Sequence, residues 1–435
     1  MAEKTENRKF IGKLEIRNFS DLLVGDKALW IVLVILGAIS IVSVFSSSSM
    51  VMSDNFGSSI GVLVKQFAFL LVGFAATIIT AILITCFTPN LLKNVALPFY
   101  IISLGLLVLT FVPGFRQEIN GATRWINLFG ISVQPSEIIK MTLIVYISLF
   151  VTKHEEVLDE DSAEGKLTFY KLIVLIALAI GLILISNFST ALFITIITFI
   201  MFLFAGIRLK RMLPLVGIMS GLGVIMFILI MTCPAPAVSM LPRLPTWQTR
   251  VISFMPSLGK YASGYNEQTD YVPADNHQVT QAKKAIAEGG FWGKGPGNST
   301  QRYKLSQAYC DFIYAIIVEE YGWIGAIVVL LLYVIFFTRV LQYLKMVTFK
   351  FDTMVLAGMT FMMVAQAFIH ICVVVNVLPA TGQTLPFISS GGSSLIISCI
   401  EFGIIQGIVE YTKRRVASAK NKDDKDINSN NVKEL

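Results

Sequence analysis

Ten apolar runs, each close to the length of a membrane-spanning helix, limit what this chain can fold into. About 20 predominantly apolar residues cross the hydrocarbon core of a bilayer as a helix. The sequence therefore predicts an all-α polytopic membrane protein with about ten transmembrane helices and one long external loop. The predicted spans cover residues 28–45, 60–87, 95–112, 135–152, 170–186, 190–206, 213–232, 312–338, 353–378 and 393–411.

The composition agrees with a membrane protein, since 14% of the residues are charged and 55% are hydrophobic. Soluble domains carry about 25% charged residues. The net charge of +7 does not indicate nucleic acid, because Lys and Arg cluster at the ends of the apolar runs. The five cysteines are odd in number and lack CxxC spacing, so neither a metal site nor a disulfide framework is predicted.

The Lys and Arg content of the short loops predicts the orientation in the membrane. The N-terminal tail 1–27 is rich in Lys and Arg, whereas loop 46–59 has none. We therefore expect a multi-pass protein of the cytoplasmic (inner) membrane with both termini in the cytoplasm and loop 233–311 outside. The predicted organisation is a tail 1–27 with an interfacial helix, a membrane domain 28–415 and a disordered cytoplasmic tail 416–435.

The first polar stretch at membrane depth surrounds the start of the fourth span. Arg124 and Trp125 precede it, and Pro135 suits its first turn. Glu137 and Lys140 are then i,i+3 neighbours on one helix face. One reading is an interfacial anchor with a local ion pair. The other is a wet cavity, where ionisable groups inside a span usually face and where Lys140 could hold a phosphate.

The second stretch lies in the external loop, which contains Arg250, Gln278 and a glycine cluster around Lys294. The cluster is not a Walker motif, because Gly295 rather than Ser or Thr follows the lysine. Tight turns explain the glycines, and backbone nests for an anionic headgroup are the alternative.

The third stretch begins at Asp311 and contains the paired carboxylates Glu319 and Glu320. Asp311 reads either as a helix N-cap or as a functional carboxylate. The apolar segment that follows is longer than a span requires, so its first turns are expected in a water-filled cleft. Paired carboxylates at that depth are costly unless they are satisfied or functional.

The fourth stretch, 376–394, breaks the helix with two prolines and three glycines. Irregular backbone at membrane depth is tolerated only where it is buried in protein or lines a cavity. Its residues Ser390, Gly391, Gly392 and Ser393 are therefore candidates for the cavity lining. His370, in the ninth span, is predicted to be a core histidine with its hydrogen bonds satisfied.

Six sequence motifs, taken in their order along the chain, resemble those of a known family. GATRWIN, QPSEIIK, HQVTQA, GGFWGKGPGNSTQ, DFIYAIIVEEYGWIG and LPATGQTLPFISSGGSSL follow one another across the ten spans. From about residue 20 to 415 the chain resembles the SEDS family (shape, elongation, division and sporulation). This implies a peptidoglycan glycosyltransferase that polymerises lipid II at the outer face of the membrane. The string GNSTQ resembles the division members more than the elongation members, which implies septal cell-wall synthesis.

The resemblance also implies residue roles. Asp311 stands where the family has its essential aspartate and is the predicted catalytic residue, while Glu137 and Lys140 line the same cavity. Where the family commonly has P-D-x-G-T, this chain has Ser186–Thr190 with Asn187 in place of the carboxylate, so no chemistry is assigned there. The predicted substrate-binding residues are Glu137, Lys140, Arg124, Trp125, Arg250, Gln278, Lys294, Glu319, Glu320, Ser390, Gly391, Gly392 and Ser393.

The reaction expected from the resemblance is an inverting glycosyl transfer from a polyprenyl-diphosphate-linked sugar. A divalent cation, Mg²⁺ or Mn²⁺, is the only cofactor that we expect. The implied partners are lipid II, a class B penicillin-binding protein transpeptidase, other divisome membrane proteins and membrane lipid. A lipid II flippase, an elongation-type polymerase and a scaffold for a partner synthase are the alternatives. All four polar stretches lie on the predicted external half, which favours an enzyme over a transporter.

Overall fold

The structure is a computed structural model of the chain. It describes residues 22–48, 56–87, 90–119, 122–128, 131–159, 162–232, 250, 254, 274–305, 308–379 and 381–433.

Twelve helices and three short strands make up the described part of the chain. The helices are α1 Lys27–Ser48, α2 Phe56–Phe87, α3 Asn90–Leu109, α4 Pro135–Lys153, α5 Glu155–Asp159, α6 Ala163–Ser186, α7 Phe188–Phe204, α8 Leu209–Thr232, α9 Ala274–Gly289, α10 Ile313–Leu344, α11 Lys350–Val374 and α12 Ser393–Lys433. The strands are β1 Arg116–Ile119, β2 Ala122–Leu128 and β3 Ile131–Val133.

Each of the ten predicted spans is a helix in the structure, so the prediction of a polytopic helical protein is confirmed. Among the described residues, eight helices are long and apolar enough to cross a membrane. The other two predicted spans are α7, with 17 residues, and α8, with 24. Only Asn187 separates α6 from α7, which confirms the predicted tight hairpin.

Close helix packing in the bundle depends on small residues of α12. An added Cβ at Gly403 would lie 2.7 Å from the carbonyl oxygen of Thr77, and one at Gly407 would lie 2.5 Å from Ile84 Cβ. Both contacts are with α2. Two glycines four residues apart allow helix backbones to approach closely in a membrane, where packing rather than the hydrophobic effect drives association.

Polar contacts place the residues just before α1, the last turns of α10 and the middle of α12 at one end of the bundle. Arg339 Nε lies 2.5 Å from Asp26 Oδ2, and Lys413 Nζ donates to the carbonyl oxygen of Gly25 at 2.9 Å. The start of α10, with Asp311 before it, is therefore at the opposite end. We call this the Asp311 end.

A three-stranded antiparallel sheet, which the apolar pattern did not predict, lies between α3 and α4. Strand β2 is central and pairs with β1 and β3, with Trp125 opposite Gln117. Asn120-Gly121, the pair typical of a tight hairpin, was a usable signal. The sheet matters for the site because β2 carries both Arg124 and Trp125.

Two helices depart most clearly from the prediction. The eighth span is broken at Gly322, whose φ of 64° and ψ of −162° are not helical. The last helix continues to Lys433, through most of the segment 416–435 that was predicted to be a disordered tail. Charged residues can extend an existing helix without a new nucleation cost, so a polar composition does not by itself exclude a helix there.

Candidate functional site

A carboxylate and a guanidinium meet beside Gly382 at the Asp311 end of the bundle. An added Cβ at Gly382 would lie 3.6 Å from Asp311 Oδ2 and 3.4 Å from Arg124 Nη1. Both charged groups are thus within 4 Å of one point. The structure therefore brings together the predicted catalytic residue, one predicted substrate-binding residue and the proline- and glycine-rich segment.

Hydrogen bonds from that segment hold the backbone just before Asp311. Ser390 N donates to the carbonyl oxygen of Tyr309 at 3.0 Å, and Ser389 Oγ donates to that of Cys310 at 2.8 Å. The Cys310 thiol in turn contacts the carbonyl oxygen of Ser390. These bonds position the Asp311 carboxyl group.

The interpretation of Asp311 as a helix N-cap is wrong. Helix α10 begins at Ile313, and Phe312 occupies the cap position with no side-chain cap hydrogen bond. The half-buried Asp311 precedes the cap, where its carboxylate is not needed to begin the helix.

Residues of the α6–α7 hairpin, to which the sequence analysis assigned no chemistry, also belong to the site. Arg124 Nε donates to the carbonyl oxygen of Ser186 at 3.3 Å, and Gln383 Nε2 donates to Thr190 Oγ1 at 2.7 Å. The position of the P-D-x-G-T motif in the family was a usable signal for this hairpin, although Asn187 replaces the carboxylate of that motif.

A buried chain of polar contacts connects α4 to the same segment. Lys140 Nζ lies 2.8 Å from Glu137 Oε2 and donates to Gln366 Oε1 at 2.8 Å. Gln366 Nε2 donates to the carbonyl oxygen of Thr384 at 3.0 Å. Lys140 is 2% exposed, so its influence on the site passes through Gln366 and Thr384. The ion pair expected from the i,i+3 spacing is present.

The water-filled cleft expected around Glu319 and Glu320 is wrong, since the two residues are 0% and 1% exposed. Glu319 accepts hydrogen bonds from Lys294 Nζ at 2.8 Å and from Thr300 N at 2.9 Å, and also from Ser299. Glu319 is satisfied by the protein's own donors, which the sequence could not show because those donors lie about 20 residues earlier. Glu320 accepts a hydrogen bond from Ser46 Oγ, whereas its Oε2 has no partner among the described residues.

The glycine-rich loop is held against the first half of α10. Lys294 N and Gly295 N donate to the carbonyl oxygens of Glu319 and Glu320, both at 2.9 Å. Gly293, Gly295 and Gly297 have positive φ, which confirms tight turns as the reason for these glycines. We call residues 293–302 with Glu319 and Glu320 the loop anchor.

The loop anchor is a second cluster rather than part of the Asp311 site. Along an α-helix, the six residues from Ile313 to Glu319 rise about 9 Å. Glu288, at the end of α9, contacts the loop anchor through Lys294 and Gln301. The Lys294 ammonium and Gln301 lower the pKa of Glu288 to about 2. This carboxyl group therefore stays ionised at neutral pH and keeps its bond to Lys294.

The remaining predicted site residues have less defined positions. Ser393 Oγ accepts from Gln134 N at 3.3 Å, which connects the start of α12 to that of α4, and an added Cβ at Gly392 would meet the Phe69 ring at 3.4 Å. Gln278 lies half-buried on α9.

Replacement of Gly382 by alanine is expected to impair the site. Its φ of +67° is unfavourable for an L-residue by about 1–2 kcal/mol, and the new methyl group would stand between Asp311 and Arg124. We expect the rate of the reaction at this site to fall at least about tenfold. The melting temperature should fall modestly. Gly105→Ala is the matched control, because nothing lies within 4 Å of its added Cβ. Equal effects of the two changes would contradict the placement of the site.

Replacement of Glu319 by glutamine is expected to loosen the loop anchor. Glutamine offers one acceptor oxygen where the carboxylate has two, so at least one buried donor loses its partner at a cost of about 1–3 kcal/mol. Hydrogen exchange in residues 293–302 should accelerate. The same change at the more exposed Glu288 should have a smaller effect, and unchanged exchange in Glu319→Gln would refute the anchor.

A metal site is not formed by the described residues. Within these ranges no group of three or more His, Cys, Asp or Glu side chains is arranged to hold a metal ion. The divalent cation, Mg²⁺ or Mn²⁺, therefore stays a prediction.

Fold and site together define a polytopic membrane protein with a charged site at one end of its helical bundle. The sequence profile of the FtsW/RodA/SpoVE family, described as cell cycle protein, matches residues 26–414. The chain belongs to this family, which confirms the resemblance drawn from the motifs.

Relatives and solved structures agree with this assignment. The probable peptidoglycan glycosyltransferase FtsW of Trichlorobacter lovleyi is 30% identical over 385 residues, which cover 88% of this chain and 92% of that protein. The protein of the same name from Marinobacter nauticus is 34% identical over 328 residues, covering 73% and 74%.

Two solved structures share the fold. A chain from a study of polymerization and crosslinking by a peptidoglycan synthase complex has a TM-score of 0.65 at 22% identity, covering 90% of this chain and 98% of that one. Thermus thermophilus RodA has a TM-score of 0.56 at 20% identity, covering 88% and 96%.

Proposed function

We propose that this chain polymerises lipid II into glycan strands by inverting glycosyl transfer at the outer face of the cytoplasmic membrane, for septal wall synthesis. The proposal rests on one observation, namely that the Asp311 carboxylate and the Arg124 guanidinium lie beside Gly382. The names of the relatives support it, since they are called peptidoglycan glycosyltransferases.

In the proposed reaction, the donor is a growing glycan on a polyprenyl diphosphate. The 4-hydroxyl of a second lipid II attacks the anomeric carbon as Asp311 accepts the hydroxyl proton. The bond from the anomeric carbon to the diphosphate oxygen breaks, so the configuration inverts and the diphosphate leaves with the bonding electrons. A positioned general base typically contributes about 10²–10⁴-fold to the rate.

Arg124 is assigned to the departing diphosphate. Developing negative charge is stabilised by donors that are already in place, and a guanidinium matches phosphate oxygens in a bidentate manner. The sequence predicted Lys140 and Arg250 for this role, but the Lys140 ammonium is bonded to Glu137 and Gln366. We assign Lys140 to positioning of the 381–392 segment.

A class B penicillin-binding protein transpeptidase is the proposed partner, supported by the likeness to a chain from a peptidoglycan synthase complex. The function is tested with purified protein and lipid II, with and without that partner, by separating the products by size and determining the anomeric configuration of the new linkages. Strands with inverted configuration are expected, and their absence in both reactions would overturn the proposal.

The proposed orientation places loop 233–311 outside and both termini inside. It rests on the Lys and Arg asymmetry of the short loops and on the polar contacts that join the start of α1 to the end of α10. In a cysteine-free background, an impermeant maleimide added outside intact cells should label Lys260→Cys and spare Lys420→Cys. The reverse pattern would place the Asp311 end in the cytoplasm.

A further inference from the structure

Three buried polar atoms without hydrogen-bond partners in the described part of the chain belong to residues connected through Gln383. They are Asn187 Nδ2, His370 Nε2 and Thr381 Oγ1. Asn187 is 2% exposed and His370 is 1% exposed. His370 is therefore a core histidine, as predicted, but only its Nδ1 is hydrogen-bonded. Buried polar atoms almost always have partners, so these atoms offer hydrogen bonds to a group that the described residues do not supply.

The connection through Gln383 joins three separate elements. The Gln383 side chain donates to Thr190 Oγ1 at 2.7 Å, and Thr190 N donates to Asn187 Oδ1 at 3.3 Å. The carbonyl oxygen of Gln383 is bonded to His370 Nδ1 at 2.8 Å. Thr381 lies two residues before Gln383, and the residue between them is Gly382, which Asp311 and Arg124 approach. The unpartnered atoms therefore adjoin the proposed reaction centre.

The hydrogen-bonding character of two of these atoms follows from their neighbours. A carbonyl oxygen only accepts, so His370 Nδ1 carries the hydrogen, and Nε2 of the neutral ring is an acceptor. Asn187 Oδ1 faces a backbone N–H, which makes its unpartnered Nδ2 a donor. The Thr381 hydroxyl can donate or accept.

One donor and one acceptor match a secondary amide, which presents a C=O and an N–H. The geometry points to a subsite for the acetamido group of an N-acetylated amino sugar, with Asn187 Nδ2 donating to the amide oxygen and His370 Nε2 accepting from the amide N–H. This rests on the proposed function, since it takes the substrate at Asp311 to be a glycan. Asn187 is uncharged where the family commonly has a carboxylate, which suits a neutral group rather than a cation.

The test compares two substrates, namely lipid II and a lipid II analogue with glucose in place of N-acetylglucosamine. Wild-type protein should use the analogue with kcat/KM at least about tenfold lower, because the analogue leaves the subsite atoms unpaired. In Asn187→Leu and His370→Phe this preference should fall below about threefold. The KM for lipid II should rise, and the kcat/KM values of each variant for the two substrates should become similar.

Two further variants separate recognition from folding. Asn187→Asp keeps the side-chain shape and an equally good N-cap but exchanges the donor for an acceptor, so it should also lose the preference. Ser148→Ala removes a buried hydroxyl of α4 that bonds the carbonyl oxygen of Ile144 at 2.7 Å. It should keep the wild-type preference.

The outcomes distinguish this inference from the function on which it rests. If wild type polymerises both substrates equally, or if all three subsite variants keep the wild-type preference, the acetamido subsite is refuted and the polymerase stands. If wild type polymerises neither substrate, the proposed function fails and the subsite with it.

Discussion

Asp311→Asn is expected to lower glycan formation at least about 10²-fold, because asparagine cannot accept the proton of the attacking hydroxyl. The two side chains have nearly the same shape. Asp311 precedes the cap position of α10, so the helix does not depend on its carboxylate. Expression, melting temperature and partner binding should therefore stay close to those of the wild type.

The matched control for Asp311 is Glu164→Gln, which neutralises an exposed carboxylate in the first turn of α6. It should polymerise lipid II at the wild-type rate. An Asp311→Asn protein with nearly normal activity would remove the general base from the mechanism, whereas a variant that unfolds would show a structural role.

Lys140→Ala is expected to lower both stability and activity. The change leaves Glu137 buried without its counter-ion, which typically costs about 3–5 kcal/mol. It also releases Gln366, which holds Thr384 in the segment beside Asp311. We expect polymerisation to fall more than the folded fraction of the protein, measured by thermal unfolding in the same detergent.

The double variant Glu137→Ala and Lys140→Ala separates the two effects. Removal of both charges should restore most of the stability but not the activity, since Gln366 stays unsupported. Gln366→Leu should lower activity while it leaves the ion pair in place. Lys350→Ala, in the exposed pair with Glu155, should change neither. Full activity in the double variant would show that Lys140 serves only as a partner in a structural ion pair.

The spans could be predicted because the bilayer imposes a length and a composition on each helix. Local geometry was equally accessible, as Pro135 in the first turn of α4 and the Glu137–Lys140 pair show. The break at Gly322 could not be read from hydropathy, because one glycine hardly changes the apolar character of a run. Only backbone angles show it.

The parts of the site that escaped prediction depend on contacts between distant segments. Gly382 looked like one helix breaker among several until the structure placed Asp311 and Arg124 beside it. Glu319 looked like a residue of a wet cleft because its donors, Lys294 and Thr300, lie in another segment. Asp311 was predicted as the catalytic residue from the resemblance of its motif to the family. Hydrophobic periodicity indicates where helices lie but not which residues take part in a reaction.

The most direct test of the polymerase is a measurement of two activities in the same vesicles. The protein is reconstituted into liposomes with fluorescent lipid II in both leaflets. Glycan strands are separated by size, and transbilayer exchange of lipid II is followed by its accessibility to an impermeant quencher. We predict glycan strands that depend on Asp311 and an exchange rate no higher than in protein-free liposomes. Rapid exchange without glycan, unaffected by Asp311→Asn, would contradict the account and identify a lipid II flippase.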